Sequence, residues 1–193
     1  MEECHIQLPN WRVIGFVILT LSFGRAVFAF EIKTDTFEAQ GNIPIEHTCD
    51  GKDLSPALHW QNPPANTKSF ALIMDDPDVA IGTWVHWVVY DIPVTTNSFE
   101  AGLPNSERLA DEAKQGLTDF QRTGYGGPCP PPGKPHRYYF KLYALDALLN
   151  LPPNQTKADL LAAMYGHILA EIRLMGKYER KKDSSAKPEV RTL

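Results

Sequence analysis

The chain has 193 residues, 43% hydrophobic and 22% charged, the composition of an ordinary globular protein long enough for one domain with a real core. Its formal net charge of −4 argues against a protein that lives on phosphate backbones, which needs clustered Lys and Arg. No nucleic-acid partner is expected. The short basic run Arg180, Lys181, Lys182 reads as solvated tail.

At the amino end, residues 13–23 (VIGFVILTLSF) form an uncharged apolar run after Arg12. A bilayer span needs ~20 such residues, whereas the apolar core of a secretory signal needs only ~7–15. AVFA at 26–29 supplies a small residue for cleavage after Ala29. Residues 1–29 are therefore read as a signal peptide and the protein as exported, periplasmic or secreted. Glu2, Glu3 and the bulky Phe28 depart from the pattern, which leaves an uncleaved anchor or a different start as rival readings. Cleavage would remove Cys4 and leave Cys49 and Cys129. An even pair in an oxidising compartment is a disulfide candidate; two buried thiols are the alternative.

Residues 30–180 are read as one β-rich domain. FEIKTDTF at 30–37 alternates apolar and polar residues, the period of a half-buried strand. SFALIMDD at 69–76 and TWVHWVVYDI at 83–92 are rich in β-branched and aromatic residues and read as central strands. HRYYFKLYAL at 136–145 has strong β-propensity with imperfect alternation. Segments 61–67, 93–106 and 124–135, dense in Pro, Gly and Asn, are predicted loops stiff enough to wall a pocket. Thr156 is a plausible N-cap with Asp159 three positions on. Leu160, Leu161, Met164, Ile168 and Leu169 fit the period of a helix, with Gly166 a weak point. EIRLMGKYE at 171–179 then reads as a closing strand, and 181–193 as a polar tail.

Three segments concentrate residues that can carry chemistry. DDPD at 75–78 places acids around a stiff turn. WVHWVVYDIP at 84–93 buries His86 among Trp84, Val85, Trp87 and Val88. A histidine there either satisfies its nitrogens inside the core or opens onto a cavity. Asp76 or Asp78 on the preceding strand could accept from it across a hairpin. GYGGPCPPPGKPHRYYF at 124–140 puts Gly126 and Gly127 where successive N–H groups could form an anion nest. His136 and Tyr138, two apart on a strand, point to one face.

Together, CDGKDLSP at 49–56, DDPD, HWVVYDIP and GYGGPCPPPGKPHRY resemble the phosphatidylethanolamine-binding protein family, in its bacterial, Raf kinase inhibitor-like branch. The resemblance runs from about Phe37 to about Arg180. It implies a mainly β fold, with a large antiparallel sheet packed on a smaller one and peripheral helices, including one near the C-terminus. It also implies a non-catalytic protein, without cofactor, whose pocket accepts phosphate, a phosphate-like anion or a phosphoryl headgroup. Carried onto this chain, the ligand-binding set is Asp76, Asp78, Trp84, His86, Gly126, Gly127, Pro128, His136 and Tyr138. Pro131, Pro132 and Lys134 make the stretch before His136 unusually proline-rich, which bears on the pocket's size. Family members have been linked to kinases and serine proteases, so a protein partner and a homodimer both stay open.

A carboxylate facing a phosphate repels it, so Asp76 is expected to brace His86. His86 as imidazolium, backbone N–H groups and the Tyr138 hydroxyl would then meet the ligand. Two rival readings use the same residues. One is a hydrolase in which an Asp–His pair activates water, although no nucleophile elbow or HExxH motif is present. The other is a divalent-metal site of two histidines and two aspartates.

Overall fold

The computed structural model describes residues 29–181; the proposed leader and tail lie outside the described residues, apart from their boundary positions. Strand β1 (Glu31–Lys33) is followed by a 3-10 turn at Ile45–His47, β2 (Leu58–Gln61), β3 (Ser69–Asp76), β4 (Trp84–Pro93) and β5 (Ser98–Phe99). Then come β6 (Lys114–Gln115), β7 (His136–Leu145), α1 (Lys157–Met164) and β8 (Ile168–Tyr178). A large antiparallel sheet has the order β6-β4-β3-β7-β8 and a small one the order β1-β2-β5.

Both faces of the large sheet are covered, which is why β3 is buried at every position and reads as an unbroken apolar run rather than an alternation. On one face Phe70, Leu72, Met74, Trp87, Val89 and Phe140 pack against Ile32, Leu58, Trp60 and Phe99 of the small sheet. On the other, Ala71, Ile73, Val88, Tyr90 and Tyr143 pack against Leu160 and Met164 of α1. In β7 the alternation is cleaner than the sequence suggests: His136, Tyr138, Phe140 and Leu142 are all buried, while Arg137, Tyr139 and Lys141 are not.

The capping signal is realised. Thr156 Oγ1 accepts from the Asp159 N–H at 3.2 Å, and the Asp159 carboxylate accepts from the Thr156 N–H at 3.0 Å, a reciprocal box that satisfies two orphan donors. The predicted helix is too long, however. It stops at Met164, Gly166 takes a left-handed φ of +82°, and Ile168 and Leu169 belong to β8. Strand pairing with β7 outweighs a helical period that is only locally favourable. The family's peripheral helices amount here to α1 and the 3-10 turn among the described residues. No described helix is long and apolar enough to cross a membrane.

Candidate functional site

At the end of the large sheet where β3 runs into β4, a cavity of about 240 Å³ is lined by Asp76, Val79, Trp84, His86, Phe120, Cys129, Pro130, Pro131 and His136. Its position follows from the strand register. Asp76 is paired with Trp84, and Asp75 with Tyr139 of β7. Thus β3 carries its terminal carboxylate between the two strands that hold the histidines.

His86 owes its orientation to a bulge. Met74 pairs with Trp87 and Asp75 with Val85, so His86 is the extra residue. A bulge places two residues opposite one and re-aims the side chain. Val85 accordingly packs on the α1 side and Trp87 in the opposite core, while His86 joins Trp84 at the cavity. The ring is buried, edge-on to Phe120 at 5.3 Å and to Tyr138 at 5.2 Å between centroids. Its Nδ1 lies 2.6 Å from the Gly126 carbonyl oxygen. A carbonyl only accepts, so Nδ1 carries the hydrogen and Nε2 is the nitrogen left for the cavity. Burial lowers the His86 pKa below its usual value; the Gly126 carbonyl and the Asp76 charge oppose that shift and are outweighed. The expectation of a cationic His86 braced by Asp76 is therefore corrected.

Asp76 instead braces His136. Its Oδ2 accepts from His136 Nδ1 at 2.7 Å, and its Oδ1 accepts from the Asp78 N–H at 2.7 Å. Both side chains are almost wholly buried. The carboxylate fixes the histidine's tautomer and leaves Nε2 toward the cavity, the arrangement that orients an imidazole for a ligand. Hairpin proximity in sequence favoured His86; the second neighbour of β3, strand β7, supplies the histidine that Asp76 meets.

Other expected site residues lie behind the cavity rather than on its wall. Asp78 clamps Arg137, accepting from its backbone N–H at 2.8 Å and from its guanidinium at 2.9 and 2.6 Å. That pairing holds the Asp78 carboxyl down to about 2. Tyr138 is fully buried beneath His86, and burial raises its pKa well above the usual phenol value. It is not part of the lining, although its hydroxyl has no hydrogen-bond partner among the described residues. Gly126 and Gly127 form no anion nest. Neither has a positive φ, and their N–H groups are spent on the His86 carbonyl at 2.9 Å and Asp53 Oδ1 at 2.6 Å.

The glycines serve close approach. A Cβ on Gly126 would lie 2.5 Å from the Phe120 ring, and one on Gly127 would lie 2.4 Å from the His47 carbonyl oxygen. The Pro128 carbonyl accepts from the Cys49 N–H at 3.1 Å. Beside it, Cys49 and Cys129 are joined as a disulfide with Cα atoms 5.4 Å apart. Thus the 45–53 segment holds the 124–131 loop, and Cys129, Pro130 and Pro131 present the wall. The metal set of the rival reading is not assembled, because Asp76 is turned to His136 and Asp78 to Arg137. Among the described residues no group of three or more His, Cys, Asp or Glu is arranged for a metal.

Phe120 is the residue that sequence reasoning missed. It stands edge-on to both Trp84 and His86, yet it sits in LTDFQRTG, a segment without periodicity or motif. Val79 and the cavity role of Cys129 and Pro130 had no separate signal either.

A mostly apolar pocket at one end of a two-sheet β fold, with two imidazoles and a carboxylate in its wall, is the kind of concave site that holds a small ligand. Residues 33–179 match the phosphatidylethanolamine-binding protein family. A UPF0098 protein of Methanothermobacter thermautotrophicus is 48% identical over 149 residues, covering 77% of this chain and 98% of its own. A UPF0098 protein of Aquifex aeolicus is 48% identical over 171 residues, covering 87% and 99%. Among solved structures, a phosphatidylethanolamine-binding protein homologue from Chlamydia trachomatis superposes with a TM-score of 0.73 at 38% identity, covering 79% of this chain and 99% of that one. The E. coli protein YbcL, described as a member of the mammalian family, gives 0.74 at 31% identity with the same coverage. The chain belongs to the phosphatidylethanolamine-binding protein family, and these likenesses fit its bacterial branch. Members are generally non-catalytic binding proteins, and membership supports a binding role here.

Proposed function

We propose that the chain binds a small phosphate-like anion or a phosphoryl headgroup in the cavity between His86 and His136. The observation that carries this reading is the pair of imidazoles with Nδ1 committed elsewhere and Nε2 left for one small cavity. The space of about 240 Å³ falls below the ~300–1,000 Å³ usual for drug-sized ligands, which suits a single tetrahedral group. When protonated, His136 pairs its charge with Asp76 and donates from Nε2 to the ligand. His86, kept neutral by burial, accepts from a phosphate hydroxyl or gains a proton as the anion enters. Trp84, Phe120, Pro130 and Pro131 exclude water and strengthen both contacts.

Calorimetric titration with inorganic phosphate and with phosphoethanolamine tests this, and tighter binding of the second would indicate a headgroup. No heat with either would overturn the reading. The Asp76–His136 contact of 2.7 Å also fits a general base, so turnover of a phosphoester substrate that His136→Gln abolishes would favour hydrolysis instead. Export is part of the same proposal: a chain recovered from outside the cytoplasm with Phe30 at its amino end supports it, and intact Met1 on cytosolic protein refutes it.

A further inference from the structure

We propose that Asp53 is a specificity-determining residue of the cavity: by fixing the Gly126–Gly127 peptide it keeps His86 with a bare Nε2, so the site takes a phosphate that still carries a hydroxyl and turns sulfate away. This role rests on the anion-binding function proposed above and narrows the ligand. A single peptide group joins the two side chains. Its carbonyl, on Gly126, accepts from His86 Nδ1 at 2.6 Å, and its N–H, on Gly127, donates to Asp53 Oδ1 at 2.6 Å. A trans peptide is planar with its C=O and N–H pointing opposite ways, so the carboxylate that takes the N–H also aims the carbonyl at the imidazole. Asp53 lies outside the cavity lining and is itself held. Its Oδ2 accepts from Arg122 Nη2 at 2.6 Å, and its φ of +56° is one that Asp tolerates.

Without that carboxylate the peptide is free to turn over. Reversal changes ψ of Gly126 and φ of Gly127, and glycine accepts the positive φ that results. The reversed peptide aims its N–H at His86 Nδ1, which must then accept, and the single hydrogen of the neutral imidazole passes to Nε2. The carbonyl in turn points where the N–H had, toward Arg122, a donor that Asp53 otherwise uses. Asp53 thus decides whether His86 offers the cavity an acceptor or a donor. With Nε2 bare, His86 accepts a hydrogen bond from the ligand, and His136, backed by Asp76, meets a negative oxygen. A proton on Nε2 would erase the distinction; Asp76 and Asp119 favour it, but burial outweighs both. Phosphate suits this pair, because at neutral pH each ion carries at least one hydroxyl. Sulfate has the same tetrahedral shape and negative oxygens but no hydrogen, so one of its oxygens would face the Nε2 lone pair.

Calorimetric titration of the full chain with inorganic phosphate and with sulfate at about pH 7, together with magnetic resonance of the histidine ring nitrogens, tests this. The wild type is expected to favour phosphate by roughly 5- to 150-fold, the cost of setting an acceptor against an acceptor, with the His86 hydrogen on Nδ1. Asp53→Ala should move that hydrogen to Nε2 and bind sulfate more tightly than the wild type does, a gain that mere loosening of the fold would not produce. Asp53→Asn keeps the side chain's shape but offers one oxygen to two donors, the Gly127 N–H and Arg122, and should fall between the two. Arg122→Gln loosens the same corner while leaving the Gly127 bond, so its preference should match the wild type. Should Asp53→Ala fail to fold, the last two variants carry the decision, and an equal preference in both would overturn the proposal. Phosphate binding without preference over sulfate, or an Asp53→Ala protein with unchanged tautomer or unchanged sulfate affinity, would overturn the role of Asp53 and leave the anion-binding function standing. Binding of neither ion would overturn both.

Discussion

Asp76→Asn separates bracing from contact. In the structure Asp76 is 2% exposed, and its two oxygens accept from the Asp78 N–H and from His136 Nδ1, both at 2.7 Å. The amide can keep the first bond through its carbonyl oxygen. Toward His136 it presents either a neutral acceptor or an N–H₂ group that forces the other tautomer. The variant therefore keeps the shape of the turn and removes the charge behind the imidazole. A hydrogen bond to a charged group contributes about 1.5–3 kcal/mol, so anion binding should weaken by roughly 10- to 150-fold. His136→Gln should lose a similar amount. His86→Gln, replacing a neutral partner worth about 0.5–1.5 kcal/mol, should lose roughly 2- to 12-fold. Titrations of phosphoethanolamine into the wild type and these three variants at one fixed pH compare the losses directly. Tighter binding in Asp76→Asn would mean that the carboxylate faces the ligand, and the bracing argument would be wrong.

Other parts of the site are open to equally direct tests. Burial lowers the His86 pKa, so the unfolded chain takes up that proton first as pH falls. Stability from this residue is present above about pH 6.5, declines as the pH drops below it, and the decline should shrink in His86→Gln; parallel acid-denaturation curves for the two proteins would contradict this. The disulfide joins positions 80 apart in sequence, and in the chain-entropy account closing such a loop stabilises by roughly 4 kcal/mol. Cys49→Ser should lower the melting temperature and loosen the Cys129–Pro131 wall; coincident melts with and without reductant would count against it. Gly127→Ala drives a Cβ to 2.4 Å from the His47 carbonyl, and overpacking of this kind costs about 1–3 kcal/mol. An unchanged melting temperature would show that the two loops are not in the tight contact described.

Much of the fold was legible because it is local. The ends of β3 and β7 fall where β-propensity stops, at Ser69–Asp76 and His136–Leu145. Thr156 and Asp159 announced the start of α1 from four consecutive residues. The end of α1 was not legible, since Ile168 and Leu169 fit a helical period as well as they fit a strand. Only Tyr143, Ala144 and Leu145 across the sheet, more than 20 residues away, decide between them.

The site divides in the same way. By itself the sequence marked Asp76, His86 and His136 as candidates for one site, because residue type and the quoted motifs single them out, and all three line the cavity. It could not assign partners. Asp76 touches His136, 60 positions away, rather than His86, 10 away, because β3 lies between β4 and β7 and a bulge carries His86 around to the Gly126 carbonyl. Phe120 enters the wall from a segment with no pattern, and Gly127 is a packing contact rather than an anion donor. Hydrogen bonds and van der Waals contacts act over a few ångströms of space and are indifferent to distance along the chain, so only the tertiary structure could decide which of these groups meet.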